Sequence, residues 1–329
     1  MRFVLDAGQR AFADSLDAML TAAGTPSVVR DWSRGEHASG RTLWSRIADA
    51  GVFALTVPEE YGGLGAGPVE LVVAFVELGR HAVPGPLVET VAAAALLTGL
   101  DDPGPAKRLL PVLASGASTA TLAPGPYALD ADMADVRLTT PPGTNDLYLA
   151  PPAGAAEVRR SLDPARRLFP LPPGGELLAS GPQVAVAAGH ALARGRLATA
   201  AQALGVGLAL LDRTVRYVGQ RSQFGVPVGS FQAVKHRLAD AKIALEFARA
   251  VLFGAALTTT AADVAAAKVT ACEAAYTTAR AALQLHGAIG YTAEYDLSLW
   301  LTKARALRTA WGGPRECRAL VLSGRDRRW

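Results

Sequence analysis

Residues 221–240 read RSQFGVPVGSFQAVKHRLAD and join a polar turn to the start of a long helical pattern. Beyond the turn, apolar residues recur at steps of three or four, which is the spacing of one face of an α-helix. The members of this stripe are Val234, Leu238, Ala241, Leu245, Ala248 and Leu252. The segment therefore predicts a long amphipathic helix. We expect its stripe, through Val234, Leu238 and Leu245, to supply apolar surface for assembly.

Further helical patterns flank this segment. Residues 191–222 precede it and residues 262–287 follow it, and both are long and rich in alanine. Long helices joined by short loops are typical of an antiparallel bundle. The first third of the chain is also helical, because Leu5, Phe12, Leu16 and Leu20 recur at roughly helical spacing.

The middle of the chain is different. Short apolar runs such as VRLTT, LYLA and ELLA are bounded by proline and glycine, a pattern that predicts a few short strands. The sequence thus predicts an α+β fold that is mostly α. We expect an N-terminal helical domain over residues 1–116, a shortened β-domain over 117–185 and a C-terminal helical bundle over 186–329.

Composition excludes several classes of protein. Half of the 329 residues are apolar, which is typical of a globular chain, and the net charge of +4 weakly favours an anionic ligand such as a phosphate. Lys and Arg are scattered, which argues against a nucleic-acid partner.

Cys272 and Cys317 lack metal-site spacing and are interpreted as buried thiols, so no metal is expected. No apolar run is long enough for a membrane span, and Asp6 and Arg10 interrupt any leader, so a cytoplasmic location is expected.

Several separated motifs carry a resemblance to a known family. The segment at 221–240 resembles the C-terminal signature of acyl-CoA dehydrogenases, and QLHGAIGYTAEY at 284–295 is similar to that family's second flavin-contacting turn. Three further stretches resemble the family's N-terminal domain and the end of its middle domain. These are VPEEYGGLGAG at 57–67, VELGRHAVPGP at 76–86 and SLDPARRLFPL at 161–171.

The resemblance implies a helical domain, a β-domain and a four-helix bundle that tetramerises around FAD held across a subunit boundary. The positions that it assigns to contacts with the FAD of a neighbouring subunit are Arg221, Gln223, Phe224, Gln232, Gln284 and Gly287. A guanidinium suits a pyrophosphate, and glycine lets backbone approach a cofactor closely. One position where the family usually has a second glycine is Ala288 here.

The resemblance does not extend to the family's catalytic base, because this chain has no carboxylate at the corresponding position. The reaction needs a carboxylate to take the α-proton of the thioester. Alignment of WGGPRECRALV places that base at Trp311 or, with a slip of one residue, at Gly312. The alternative family position falls near Gly195, in a stretch without any acid. Glu316 lies about one turn beyond Trp311 and is the candidate for a displaced base.

The middle segment also lacks the acidic, glycine-rich motif and the Trp motif that cradle the flavin ring in the family. The resemblance therefore implies a chain without a catalytic residue of its own, which shares FAD with a homologous subunit that carries the catalytic Glu, in an α2β2 assembly. Several such actinobacterial pairs act on CoA thioesters of steroid side chains or ring fragments. Three alternatives stay open: an active homomeric dehydrogenase with a displaced base, a flavin-free scaffold or binding protein, and a related flavin monooxygenase.

Overall fold

The computed structural model describes residues 4–123, 125–153, 157–172 and 174–323 of the chain. Six α-helices precede the strands. They are α1 (Ala7–Ala22), α2 (Thr25–Ser33), α3 (Ala38–Asp49), α4 (Pro68–Arg80), α5 (Leu87–Thr98) and α6 (Pro103–Ala114). Asp6 caps α1 with a capping box, and Asp102 accepts a hydrogen bond from Gly104 N at the start of α6.

The strands of the middle segment are short, as the sequence predicts. They are β1 (Ala120–Ala123), β2 (Ala128–Leu129), β3 (Val136–Thr139), β4 (Asp146–Leu149), β5 (Leu168–Phe169) and β6 (Glu176–Ser180). Four of them form a sheet in the order β1-β3-β4-β6, in which only the β1–β3 pair is parallel, and β2 pairs with β5 antiparallel.

The C-terminal part is a bundle of long helices. It comprises α7 (Pro182–Gln220), α8 (Gln232–Thr258), α9 (Ala261–His286), α10 (Leu297–Leu307) and α11 (Pro314–Ser323), with a two-stranded hairpin, β7 (Ser222–Gln223) and β8 (Val226–Pro227), between α7 and α8. The order of helices, small sheet and helices confirms the predicted fold class. The proposed domain boundaries remain predictions.

Close helix packing joins the N-terminal helices to the bundle. A Cβ at Gly205 of α7 would lie 1.9 Å from Val76 O of α4, and one at Gly79 would lie 2.1 Å from Gln202 O. Because only glycine permits such an approach, the two helices cross at backbone contact distance. Helix α5 also packs on α7 and is buried on nearly all faces. Helices α4 and α5 of the N-terminal part therefore pack directly on the long helix α7.

The predicted stripe of α8 lies inside the chain. Ala241, Leu245, Ala248 and Leu252 are buried in the bundle, so the helical period is confirmed. The expectation that Leu245 supplies assembly surface is wrong, because that side chain already packs within the chain. Val234 and Leu238 are half-buried, and their expected part in assembly stays a prediction. The opposite face carries the exposed apolar side chains Ile243, Phe247, Val251 and Leu257.

Two further predictions are tested by the structure. Cys272 and Cys317 are free and buried, which confirms their interpretation as thiols outside any disulfide. Among the described residues, no helix combines the length and apolar character that crossing a membrane requires.

Candidate functional site

The turn between α10 and α11 contains Trp311 and is hydrogen-bonded to a buried lysine. Lys268 of α9 donates hydrogen bonds to Leu307 O at 3.0 Å and to Arg308 O and Gly312 O at 3.3 Å. A cation at the C-terminal end of α10 satisfies carbonyls that have no partner within the helix. This arrangement fixes the position of Trp311, whose backbone takes the left-handed value φ +58°.

The two positions to which the resemblance assigns the base, Gly195 and Trp311, are in contact with each other. A Cβ at Gly195 of α7 would lie 2.2–2.5 Å from the Trp311 ring, so the indole occupies the space that any larger residue at 195 would need. The neighbouring Arg196 donates from Nε to Trp311 O at 3.0 Å. Neither an indole nor a glycine can accept a proton from carbon. The space between α7 and the turn is therefore filled by an aromatic ring.

A buried carboxylate that the sequence reasoning missed lies beside this ring. Glu89 of α5 is only 3% exposed, and its Oε1 accepts a hydrogen bond from Trp311 Nε1 at 3.2 Å. Arg166 Nη2 lies 3.8 Å from the same oxygen. Burial raises the pKa of Glu89, and the Arg166 charge and the Trp311 hydrogen bond oppose that rise. The one available signal in the sequence is a single acid within the apolar run LVETVAAAALL.

Trp311 and Glu89 line a cavity of about 680 Å³. Its walls come from α5, α7, the middle segment and the turn after α10, and they include Leu122, Leu168 and Leu192. This volume lies within the range of sites for drug-sized ligands. The cavity is thus large enough for an organic ligand, and both apolar side chains and charged groups line it.

Glu316 also lines the cavity but is already paired. Its Oε1 accepts from Arg196 Nη2, and its side chain is 60% exposed while that of Arg196 is buried. The carboxylate therefore serves as the counter-charge of a buried guanidinium at the mouth of the cavity, which is the ordinary role of such a residue.

The six residues assigned to FAD contacts lie elsewhere, at one end of the bundle. Arg221 follows α7, Gln223 and Phe224 lie in the hairpin, Gln232 begins α8, and Gln284 and Gly287 lie at the end of α9. Because α8 begins where the antiparallel α9 ends, these positions share one end of the bundle. None of them is among the described residues that line the cavity.

An aromatic pair that the sequence reasoning also missed joins these elements. The Tyr217 ring stacks on the ring of His286 at 4.2 Å, and its hydroxyl donates to His286 O at 3.2 Å. Arg221 Nη1 donates in turn to the Tyr217 hydroxyl. Burial lowers the pKa of His286, which favours the neutral ring. The end of α7 and the end of α9 are thereby fixed to each other and orient Arg221.

The chemistry of this surface fits a dinucleotide cofactor. The side chain of Arg221 is exposed, and no carboxylate among the described residues pairs with it. Phe224 is 90% exposed at φ +53°, where a bulky residue is strained. A cation suits a pyrophosphate, and an exposed ring suits a nucleobase. Gln223, Gln232 and Gln284 add amide donors and acceptors.

A second cluster of polar groups needs no ligand. Asp17, Glu77 and His81 bring possible ligand atoms within 4.8 Å of one another. His81 Nε2 lies 2.8 Å from Asp17 Oδ1, and Arg80 Nε lies 3.5 Å from Glu77 Oε2. These ion pairs account for the cluster, and the expectation that the chain holds no metal stays a prediction.

Comparison with known proteins establishes the class of the chain. Residues 6–117 match the family model for the acyl-CoA dehydrogenase N-terminal domain, and residues 185–325 match that for the acyl-CoA dehydrogenase C-terminal domain. The chain belongs to the acyl-CoA dehydrogenase family, and the resemblance inferred from its motifs is confirmed. The two matches leave the segment of short strands between them.

Individual relatives share the whole architecture. The chain is 33% identical to acyl-CoA dehydrogenase IpdE2 of Mycobacterium tuberculosis, with 92% of each protein covered. Among solved structures, it is similar to the ChsE4-ChsE5 complex from Mycobacterium tuberculosis, with a TM-score of 0.82, 26% identity and 97% of each chain covered. It is also similar to a structure described as the Tcur3481-Tcur3483 steroid ACAD G363A variant, with a TM-score of 0.82 and 25% identity over 95% of this chain and 96% of that chain.

Proposed function

We propose that this chain is the subunit of a heteromeric, FAD-dependent acyl-CoA dehydrogenase that contributes FAD contacts and an oligomer interface but not the catalytic base. The reaction is the α,β-desaturation of a CoA thioester. The observation that carries the proposal is the contact between Trp311 and Gly195, because the resemblance assigns both positions of the base to these residues and neither is a carboxylate.

The residues of this chain would act toward FAD bound mainly by its partner. FAD supplies the acceptor of the substrate's hydride when it is bound. Arg221 would hold the pyrophosphate by charge, Gln232 and Gln284 would bind polar edges of the nucleotide, and Gly287 would let backbone approach it. Their place at the exposed end of the bundle, outside the chain's own cavity, supports a role in a neighbour's site.

The outer face of α8 supports assembly with a homologous subunit. Ile243, Phe247 and Val251 recur at steps of four and are 53%, 69% and 37% exposed. A stripe of large apolar side chains at helical spacing is typical of an interface between subunits. A base-bearing homologue in an α2β2 tetramer would cover this stripe and complete the FAD site.

We extend the proposal to a substrate derived from a steroid. The support is the similarity to a structure described as a steroid ACAD, and to one described as a complex of two proteins. The cavity of about 680 Å³ lies near the middle of the usual range of about 300–1,000 Å³ for small-molecule sites, which leaves room for a bulky acyl group.

Replacement of Arg221 by alanine should weaken flavin retention in the assembled protein without unfolding it. A lost hydrogen bond to a charged group typically costs about 1.5–3 kcal/mol. Flavin released on serial dilution is the measurement. Arg46→Ala, which removes the same charge from an exposed site on α3, is the control and should retain flavin like the wild type. Equal flavin occupancy of the Arg221→Ala and Arg46→Ala proteins would count against the role of Arg221.

The variant Glu316→Gln should keep turnover of the assembled enzyme within about threefold of the wild type, because Glu316 is paired with Arg196 and does not act as the base. Loss of a positioned base would lower the rate by roughly 10²–10⁴-fold. Steady-state acyl-CoA oxidation measures this, with gel filtration to show that the tetramer is intact. A loss of 10²-fold or more in an intact tetramer would identify Glu316 as the base and would support the alternative of a homomeric, self-sufficient dehydrogenase.

A further inference from the structure

A second cavity, with a volume of about 320 Å³, lies where α1, α2, α4 and α7 meet. We call it the arginine cavity, after its charged and basic lining residues Asp17, Arg80, His81, Asp212, Arg213 and Arg216. Among the residues that the structure describes, it shares no lining residue with the cavity beside Trp311. The arginine cavity is therefore a separate site, and it contains neither the positions assigned to FAD contacts nor those assigned to the base.

The two acids of the arginine cavity already have basic partners. Asp212 Oδ2 accepts a hydrogen bond from Arg80 Nη2 at 2.9 Å. Asp17 Oδ1 lies 2.8 Å from His81 Nε2. Because each carboxylate is engaged by one of these two bases, neither serves as a close counter-charge for the other two arginines of the cavity.

These other two arginines, Arg213 and Arg216, have no carboxylate within ion-pair distance in the described part of the chain. The Arg213 guanidinium is half-buried and rests on the Trp300 ring, 3.7 Å from its centroid, while Arg216 Nε donates to a backbone carbonyl at 3.4 Å. Burial lowers the pKa of Arg213, and the neighbouring Arg216 charge adds to this effect. The Asp296 charge opposes it, but Asp296 pairs with Arg30 at 2.7 Å. The cavity therefore brings together two guanidinium groups that an anion would stabilise.

The start of α2 adds neutral donors to the same cavity. Thr25 lines the cavity and is only 2% exposed, and its hydroxyl has no hydrogen-bond partner among the described residues. The hydroxyl oxygen keeps accessible surface, so a molecule in the cavity can reach it. Gly24, the N-cap residue of α2, provides no side-chain cap, and the N-terminal end of a helix carries partial positive charge. An unpaired hydroxyl and a helix N-terminus thus lie beside the two guanidinium groups.

We propose that the arginine cavity binds the phosphate group of a small soluble ligand, held by Arg213, Arg216 and the Thr25 hydroxyl. A phosphate monoester is close to a dianion at neutral pH and matches two guanidinium groups in charge, and its oxygens accept the parallel N–H donors of a guanidinium. A carboxylate carries only one charge. The volume lies at the lower end of the usual range of about 300–1,000 Å³ for small-molecule sites, so the phosphate and a short organic group fill it. This site goes beyond the proposed function, since it requires neither a partner nor FAD.

Titration calorimetry on the full-length chain, with methyl phosphate and acetate as probes, tests the proposed site in a phosphate-free buffer of constant ionic strength. The wild type should bind methyl phosphate at least about 10-fold more tightly than acetate, as expected for one further hydrogen bond between charged groups. Arg213→Met should weaken the binding of methyl phosphate by about 10- to 100-fold. Thr25→Val, which replaces the hydroxyl by a methyl group, should weaken it by about 2- to 10-fold. Arg46→Met removes a guanidinium from an exposed site on α3 and should retain the wild-type affinity.

Equal affinity of the wild type for methyl phosphate and acetate would overturn the proposed site, as would an unchanged affinity in a folded Arg213→Met protein. If loss of the contact with Trp300 prevents that variant from folding, Arg216→Met, at an exposed side chain, decides in the same way. Binding that is lost in Arg221→Ala but kept in Arg213→Met would place the phosphate at Arg221 and would also overturn it.

A lipid headgroup is the other source of a phosphate monoester. Co-sedimentation with phosphatidylcholine vesicles that contain phosphatidic acid distinguishes the two sources, and we expect the chain to remain in solution. Vesicle binding that depends on Arg213, without binding of methyl phosphate, would overturn the assignment to a soluble ligand. Because neither assay detects flavin or turnover, their failure leaves the proposal of a heteromeric enzyme standing, and the converse also holds.

Discussion

Replacement of Lys303 by methionine should lower the free energy of unfolding by about 3–5 kcal/mol, because it leaves a buried carboxylate without its counter-charge. Lys303 Nζ lies 3.3 Å from Asp163 Oδ2, and the two side chains are 3% and 2% exposed. The contact is an ion pair rather than an aligned hydrogen bond, since Oδ2 has no aligned donor among the described residues. Lys303 also donates to Val83 O at 3.4 Å. The pair thus joins α10 of the bundle to the middle segment and to the turn after α4.

Urea denaturation of three variants separates the charge effect from the loss of packing. The double variant K303M/D163N should regain at least about half of the free energy of unfolding that Lys303→Met loses, because no unpaired charge is left. Asparagine keeps the side-chain oxygen that accepts from Ala165 N at 3.0 Å. Lys242→Met removes the same cation from an exposed pair with Glu246 and should cost less than about 1 kcal/mol. A Lys303→Met protein as stable as the Lys242→Met protein would show that the buried pair does not hold α10 to the middle segment.

Local pattern predicts the elements of this fold well. The three-and-four spacing on α8 places Ala241, Leu245 and Leu252 on one buried face, and the short apolar runs bounded by turn residues became β3, β4 and β6. The same pattern does not say what a face packs against. The pattern therefore cannot distinguish the inner face of α8 from an assembly surface, and the exposed residues Phe247 and Val251 lie on the other side.

The cavity was less predictable because its parts are distant in the sequence. Alignment placed the missing base at Trp311 and Gly195 separately, but nothing in either segment indicates that the indole rests on the glycine. Glu89 appeared only as one acid in an apolar helix, and its depth depends on how α5 packs between α7 and the sheet. The six positions assigned to FAD contacts were found from motif resemblance, and the structure gathers them at one end of the bundle.

The second large effect concerns the enzyme as a whole. Under the proposed function, the chain expressed alone should contain little flavin and should not oxidise acyl-CoA, because the resemblance assigns the position of the base to Trp311 and implies no flavin-cradling motif in the middle segment. A homologue that carries the base should restore both flavin binding and acyl-CoA oxidation, since Arg221, Gln232 and Gln284 are exposed where a partner's FAD would be bound. We expect activity to rise by at least about 10²-fold, the lower value for a positioned base.

The measurement that tests this account most directly is the flavin-to-protein ratio, together with the rate of acyl-CoA oxidation, of the chain purified alone and purified with its homologous partner. The account predicts a nearly colourless, inactive protein alone, and about one FAD for each pair of unlike subunits, with oxidation of acyl-CoA, in the mixed assembly. A yellow homo-oligomer of this chain that oxidises acyl-CoA without a partner would contradict it.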